Sequence, residues 1–200
     1  MAKIKDLEAK FARTEEQVRL FQKISRLMAR DLSLQDNLHS IIGLITDFMH
    51  CDSCLIYLMD GDDLVLCAAN NAAPNTIGQV RLKIGEGLTG WVAKERRFVA
   101  ISREAFLDPR FKHFADLPED TYEAFLSAPV IARNKVVGVL NVQHRAPHAF
   151  SGLEMELLTT VGEQIGCLLL LSRMPASALQ EANHAQLALA SMVPVAPMVR

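Results

Sequence analysis

Two apolar runs constrain this chain more than any other feature: Phe125-Leu126-Ser127-Ala128-Pro129-Val130-Ile131 and Val136-Val137-Gly138-Val139-Leu140-Asn141-Val142, on either side of Arg133-Asn134-Lys135. Asn tolerates the positive φ that the favoured two-residue turns demand, so the pair reads as a tight antiparallel hairpin. Pro129 has no N–H to give to a ladder and belongs at the start of its strand or on a sheet edge. Neither run alternates apolar with polar residues, which implies a sheet covered on both faces. Helices must supply that cover.

The covering helices are legible. Ser33-Leu34-Gln35-Asp36 resembles a capping box, after which Leu34, Leu38, Ile41, Ile42, Ile45, Phe48 and Met49 recur at helical spacing. Ser151-Gly152-Leu153-Glu154 opens a second helix with Leu157, Val161, Ile165 and Leu168 on its stripe. Between them Cys51 to Asp60, Leu64 to Ala69, Val80 to Ile84 and Arg97 to Ile101 read as strands bounded by turn chemistry such as Asp60-Gly61-Asp62. The expected fold is α+β: an antiparallel sheet of about six strands with helices on both faces, preceded by a long N-terminal helix.

Three units follow from this. Residues 1–31 form an amphipathic helix, residues 32–173 the domain, and residues 174–200 an Ala- and Pro-rich tail in which Pro175, Pro194 and Pro197 interrupt regular structure. In the first unit Ile4, Leu7, Phe11, Val18, Phe21 and Met28 fall three and four apart, with Thr14 and Ser25 at the remaining seam positions. That stripe can lie on the chain's own domain or form a coiled-coil seam. Its length exceeds what a small sheet can cover, which favours a homodimer.

Composition narrows the function. With 200 residues, half of them hydrophobic, the chain can bury one substantial core. A net charge of −2 without a basic stripe gives no footprint for nucleic acid. No run of about eighteen apolar residues occurs, and the N-terminus lacks the apolar core of a secretory signal, so a cytoplasmic protein without membrane contact is expected. Cys51 and Cys54 are spaced C-x-x-C, but no second pair or nearby His completes a zinc set. Residues three apart in a strand face opposite ways, so these thiols are expected to diverge and, like Cys67 and Cys167, to serve as small hydrophobes.

The glycine-rich turn Ile84-Gly85-Glu86-Gly87-Leu88-Thr89-Gly90-Trp91-Val92 launches a short helix. Gly85-x-Gly87-x-x-Gly90 has the letters of a dinucleotide fingerprint, with Asp108 at a tolerable distance beyond it. The hairpin that follows is not the repeating βαβ pattern such a site needs.

From Leu34 to Leu171 the chain resembles a GAF domain. Asp108-Pro109-Arg110-Phe111-Lys112 followed by Ala124-Phe125-Leu126-Ser127-Ala128-Pro129-Val130-Ile131 is most similar to the sensory GAF domain of nitrogen-type phosphoenolpyruvate-protein phosphotransferases. The resemblance implies a non-catalytic regulatory domain that senses a small molecule and signals through its helices. It places the ligand pocket between the sheet and the segment from Gly85 to Phe125. There Trp91, Phe98, Phe106, Phe111 and Phe114 are candidate walls, and Thr89, Arg103, His113 and Ser127 candidate polar contacts. A helix start at Thr89 with Arg103 and His113 nearby suits an anionic metabolite. Packing without a ligand explains the aromatics equally, and leaves a dimerisation or interaction module as the alternative. A free methionine sulfoxide reductase would need cysteines in or just after Gly85 to Arg103, and a bilin carrier a Cys in the lid; neither is present. The cyclic-nucleotide signature is not reproduced around Phe111 and Asp116. His113, His144 and His148 have no companions at metal spacing, so no metal is expected. The cofactor and ligand stay open.

Overall fold

The hairpin lies at the middle of the molecule. In the computed structural model, which describes residues 2–71, 76–112 and 122–175, β5 and β6 are joined by Arg133 and Asn134 alone, both at positive φ (47° and 60°). This geometry matches the twist of the strands it connects.

In chain order the elements are α1 (Ala2–Met28), α2 (Leu34–Met49), β1 (Ser53–Asp60), β2 (Asp63–Ala69), β3 (Arg81–Lys83), α3 (Gly87–Glu95), β4 (Val99–Ile101), a 3-10 turn (Ala105–Leu107), β5 (Ala124–Ala132), β6 (Lys135–His144) and α4 (Gly152–Ser172). The six strands form one antiparallel sheet in the order β3-β2-β1-β6-β5-β4. β4 pairs only with Phe125 to Ser127, so β5 outlasts it. Pro129 therefore sits where β5 has become an edge, and no partner there asks for its missing N–H.

Alternation sends one set of strand residues to each face. Cys54, Ile56, Leu58, Leu126, Ala128, Val130, Leu140 and Val142 meet α2 and α4. Ser33 caps α2 by accepting from the Asp36 N–H (3.1 Å), and Ser151 and Glu154 cap α4 reciprocally. From these starts Leu38, Ile41, Ile42 and Ile45 of α2 and Leu157, Val161 and Ile165 of α4 are 1% exposed or less. Each such burial contributes about 1.5–3 kcal/mol relative to exposure. α4 is long and apolar enough to cross a membrane by length and composition. Its place against β5, where a Cβ at Gly166 would collide with the Ile131 carbonyl, accounts for that apolarity.

Helix α1 forms a second layer over α2 and α4. Leu20 and Ile24 are buried there with Gln17, and Phe21, Leu27 and Met28 pack beside them. The heptad stripe divides accordingly: its C-terminal part docks on the domain, while Ile4, Leu7, Phe11 and Val18 are 48–69% exposed. Arg13 ties this half of α1 to Glu154, 3.5 Å away. Glu154, 3% exposed, also accepts from the Ser151 N–H and hydroxyl (2.7 Å each) and faces the His148 ring at 2.9 Å. Burial works to raise its carboxyl, but the Ser151 and His148 hydrogen bonds outweigh that and hold it below the usual range. His148 stacks on His144 with ring centres 4.2 Å apart.

The cysteines correct one expectation. Cys51 and Cys54 do not diverge; both join the α2–α4 core, because β1 begins only at Ser53 and strand alternation does not reach Cys51. Both are free thiols, and burial pushes Cys51 up to about 11. They serve as core hydrophobes.

Candidate functional site

The opposite face carries the candidate site. Leu55 and Tyr57 of β1, Leu64 and Leu66 of β2, Phe125 of β5 and Val139 of β6 form an apolar floor against Leu88 and Val92 of α3. A row of polar side chains crosses this floor. The register sets Ser53 and Phe125 on either side of Gln143, and Leu55 and Ser127 on either side of Asn141. Ser53, Gln143, Asn141 and Ser127 thus share the α3 side of three adjacent strands, each 9% exposed or less.

Most of the row is internally satisfied. Ser127 Oγ donates to Asn141 Oδ1 (2.6 Å), and Asn141 Nδ2 donates to Thr89 Oγ1 of α3 (2.8 Å). At the far end Ser53 Oγ donates to Asn71 Oδ1 (3.4 Å), and Asn71 Nδ2 donates to the Tyr122 hydroxyl (3.0 Å). Gln143 stands between these two groups and makes no side-chain hydrogen bond among the described residues. The buried side-chain atoms without a partner among the described residues are Asn37 Oδ1, Thr46 Oγ1, His144 Nε2 and Gln164 Oε1, so the Gln143 amide still touches solvent and is open to a partner from outside the protein.

The glycine turn builds the cover. Gly85 and Gly87 take positive φ (87° and 66°), and a Cβ at Gly90 would lie 2.5 Å from the Lys83 carbonyl, so α3 starts hard against β3. Glu86 accepts from the Lys83 N–H (2.8 Å) and pairs with Lys112, which pins the segment after the 3-10 turn to the start of α3. The Lys112 hydrogen bond and the Lys83 N–H hold the Glu86 carboxyl below its ordinary value. Beside them the Arg110 guanidinium lies 4.6 Å from the Trp91 ring centre and forks onto Asp108 (2.9 and 2.8 Å). That fork holds the Asp108 carboxyl low.

The structure unites Thr89 and Ser127 through Asn141. Trp91 and Phe111 are half-buried and pack on the same apolar floor, and Phe106 is half-buried in the 3-10 turn. Phe98, 52% exposed, and Arg103 stand on the surface. His113 and Phe114 lie outside the described residues. Asn141 and Gln143 escaped sequence reasoning, although an amide inside the apolar run Val136 to Val142 is itself a signal, since it must find a partner or a ligand. Among the described residues no cluster could hold a metal ion. None of the four cysteines belongs to the α3-side core: Cys51, Cys54 and Cys67 pack on the α2–α4 side, and Cys167 is exposed on α4.

A neutral row of hydroxyls and amides on an apolar floor can orient a small polar molecule. The chain is similar to the Nif-specific regulatory proteins of Azospirillum lipoferum and Azospirillum brasilense, 26% identical over 151 residues that make up 72% of this chain and 24% of each relative. It spans about a quarter of their length. Among solved structures it resembles the GAF domain of an Acinetobacter phosphoenolpyruvate-protein phosphotransferase (TM-score 0.70, 32% identity, 76% of this chain and 91% of that one). The corresponding domain from Coxiella burnetii (TM-score 0.74, 24% identity, 80% and 95% covered) shares the fold. So does free methionine-R-sulfoxide reductase from Neisseria meningitidis in complex with its substrate (TM-score 0.66, 18% identity, 78% and 90% covered). The GAF domain model matches residues 33–169, and the chain belongs to the GAF domain family.

Proposed function

We propose that this chain is a non-catalytic, cytoplasmic regulatory domain that binds a small polar effector beneath α3 and transmits the change through its helices, as a homodimer joined along α1. The observation that carries the reading is Gln143, whose amide touches solvent and has no side-chain hydrogen bond among the described residues, set beside the satisfied trio Ser127–Asn141–Thr89. A ligand that supplies a donor or acceptor to Gln143 gains a hydrogen bond at an amide already stripped of most of its water.

The class of effector follows from the charges. Among the described residues, Arg110 is neutralised by Asp108 and Lys112 pairs with Glu86, while Arg103 is exposed. A neutral polar metabolite suits these surroundings better than the anionic one that the family resemblance implies. The regulatory relatives support sensing, and cysteines placed away from the row argue against sulfoxide reduction. A route to α1 runs from Ser102, whose carbonyl accepts from the His148 N–H (2.9 Å), through the His148 ring to Glu154 and Arg13. The exposed stripe of Ile4, Leu7, Phe11 and Val18 supplies the dimer seam.

Thermal shift against a panel of neutral and anionic metabolites tests the proposal. A true effector at a hundredfold excess over its Kd stabilises by about 2.7 kcal/mol. It should do so in the parent and not in Gln143→Leu. Equal shifts in both proteins would move the site elsewhere, and a silent panel would favour the ligand-free interaction module.

A further inference from the structure

The end of α3 and the hairpin turn form one strongly basic surface. Lys94, Arg96 and Arg97 lie at the first, Arg133 and Lys135 at the second, and all five are exposed with Glu95 as the single acid among them. The two turns are locked together: one Arg96 Nη2 donates to both the Asn134 carbonyl (2.7 Å) and its side-chain Oδ1 (2.8 Å). The lock spends Arg96 on a neutral amide. No carboxylate among the described residues pairs with any of the five cations. This concentration stands out on a chain whose formal net charge is −2.

Phe98 follows Arg97 directly and exposes 52% of its surface. It leads into the short edge strand β4 and belongs to neither core. An exposed aromatic next in the chain to an arginine that pairs with no carboxylate among the described residues has the composition of a protein-binding hot spot, in which the ring anchors and the cations steer and select.

We propose that this surface docks an acidic segment of a partner protein, with Phe98 as its apolar anchor. Charge complementarity fixes the sign of the partner. The patch is confined to two tied turns and carries one aromatic, whereas nucleic acid calls for an extended basic stripe with repeated stacking platforms. The surface needs no bound effector, so it stands apart from the site beneath α3.

Fluorescence anisotropy on the full chain tests it, with a labelled peptide of alternating Glu and Ala around a central Leu as the probe. The peptide should bind and weaken steeply as salt rises, and its Gln-for-Glu counterpart should not bind. Arg97→Glu combined with Arg133→Glu should weaken binding by about tenfold or more, and Phe98→Ala by about fivefold, with melting temperature unchanged because the altered side chains are exposed. Failure of the acidic peptide to bind, equal binding of the two peptides, or an unaffected double variant would each overturn the assignment. So would tighter binding of a single-stranded oligonucleotide of matched charge. Loss of self-association in the double variant, seen by sedimentation, would overturn it in favour of a second copy as occupant.

Discussion

Asn141→Leu and Gln143→Leu are similar changes at neighbouring inward positions of β6, and they should move stability in opposite directions. Asn141, 1% exposed, satisfies the hydroxyls of Ser127 and Thr89 at 2.6 and 2.8 Å. Thr89 can turn its hydroxyl to a carbonyl of its own helix, but Ser127, 0% exposed on a strand, has no such recourse. One orphaned buried donor costs about 1–3 kcal/mol, and the extra methyl groups of Leu recover only part of it, so Asn141→Leu should lose about 2 kcal/mol. Gln143→Leu removes no side-chain hydrogen bond among the described residues and adds apolar area, which leaves it neutral or more stable by about 1 kcal/mol. Urea unfolding followed by Trp91 fluorescence and circular dichroism reads both, provided the slope with denaturant stays that of the parent. For a domain of this size the two variants should melt about 4–12 °C apart. If Gln143→Leu loses as much stability as Asn141→Leu, its amide is a structural group and the argument that it awaits a ligand fails.

Four further outcomes are expected. Gly166→Ala drives a methyl group into the Ile131 carbonyl beneath α4 and should cost about 1–3 kcal/mol in thermal or chemical unfolding, whereas Gly43→Ala, which meets nothing, should not destabilise. Glu154→Ala should lower stability near neutral pH by about 2–4 kcal/mol, since it orphans Ser151 and His148 and removes a helix cap. The parent's advantage over that variant is whole above the ordinary glutamate value of 4.5, because the folded carboxyl lies below it, and should drain away as pH falls further. His144 runs the same way at higher pH: burial and the neighbouring His148 hold it below 6.5 against Asp52 and Glu154, so stability falls as pH drops below that value, and His144→Phe should flatten this part of a pH series of melting temperatures. Replacing Ile4, Leu7 and Phe11 together by Lys should give a monomer by sedimentation with the melting transition of the core retained; a dimer that survives would rule out the seam.

What the sequence disclosed was local chemistry. The turn at Arg133-Asn134, the caps at Ser33 and Ser151 and the stripes behind them are written within a few residues of where they act, and each formed where expected. Register is not local. Only the pairing of Ser53 with Gln143 and of Ser127 with Asn141 assembles the polar row, and no spacing along the chain announces those partners. The misreading of Cys51 arose because strand alternation was extended two residues beyond the ladder, and Phe98 was assigned to a wall because its ring alone cannot report which way the chain turns after α3. Trp91 was legible as a neighbour of the α3-side floor, whereas its Arg110 neighbour was quoted only within the family signature.

The sheet's borders decide how such a domain can live beside others. β3 and β4 are three residues each; Arg81 and Lys83 on β3 are held by Asp60 and Asp63, and beyond β4 the uncovered stretch of β5 carries a proline. A neighbouring strand finds almost no run of free N–H and C=O groups to zip onto. Segments tethered beside such a sheet meet it at very high local concentration. Blunted borders keep those segments from being recruited into its sheet, so assembly is left to side chains and helices, where charge and shape can choose the partner.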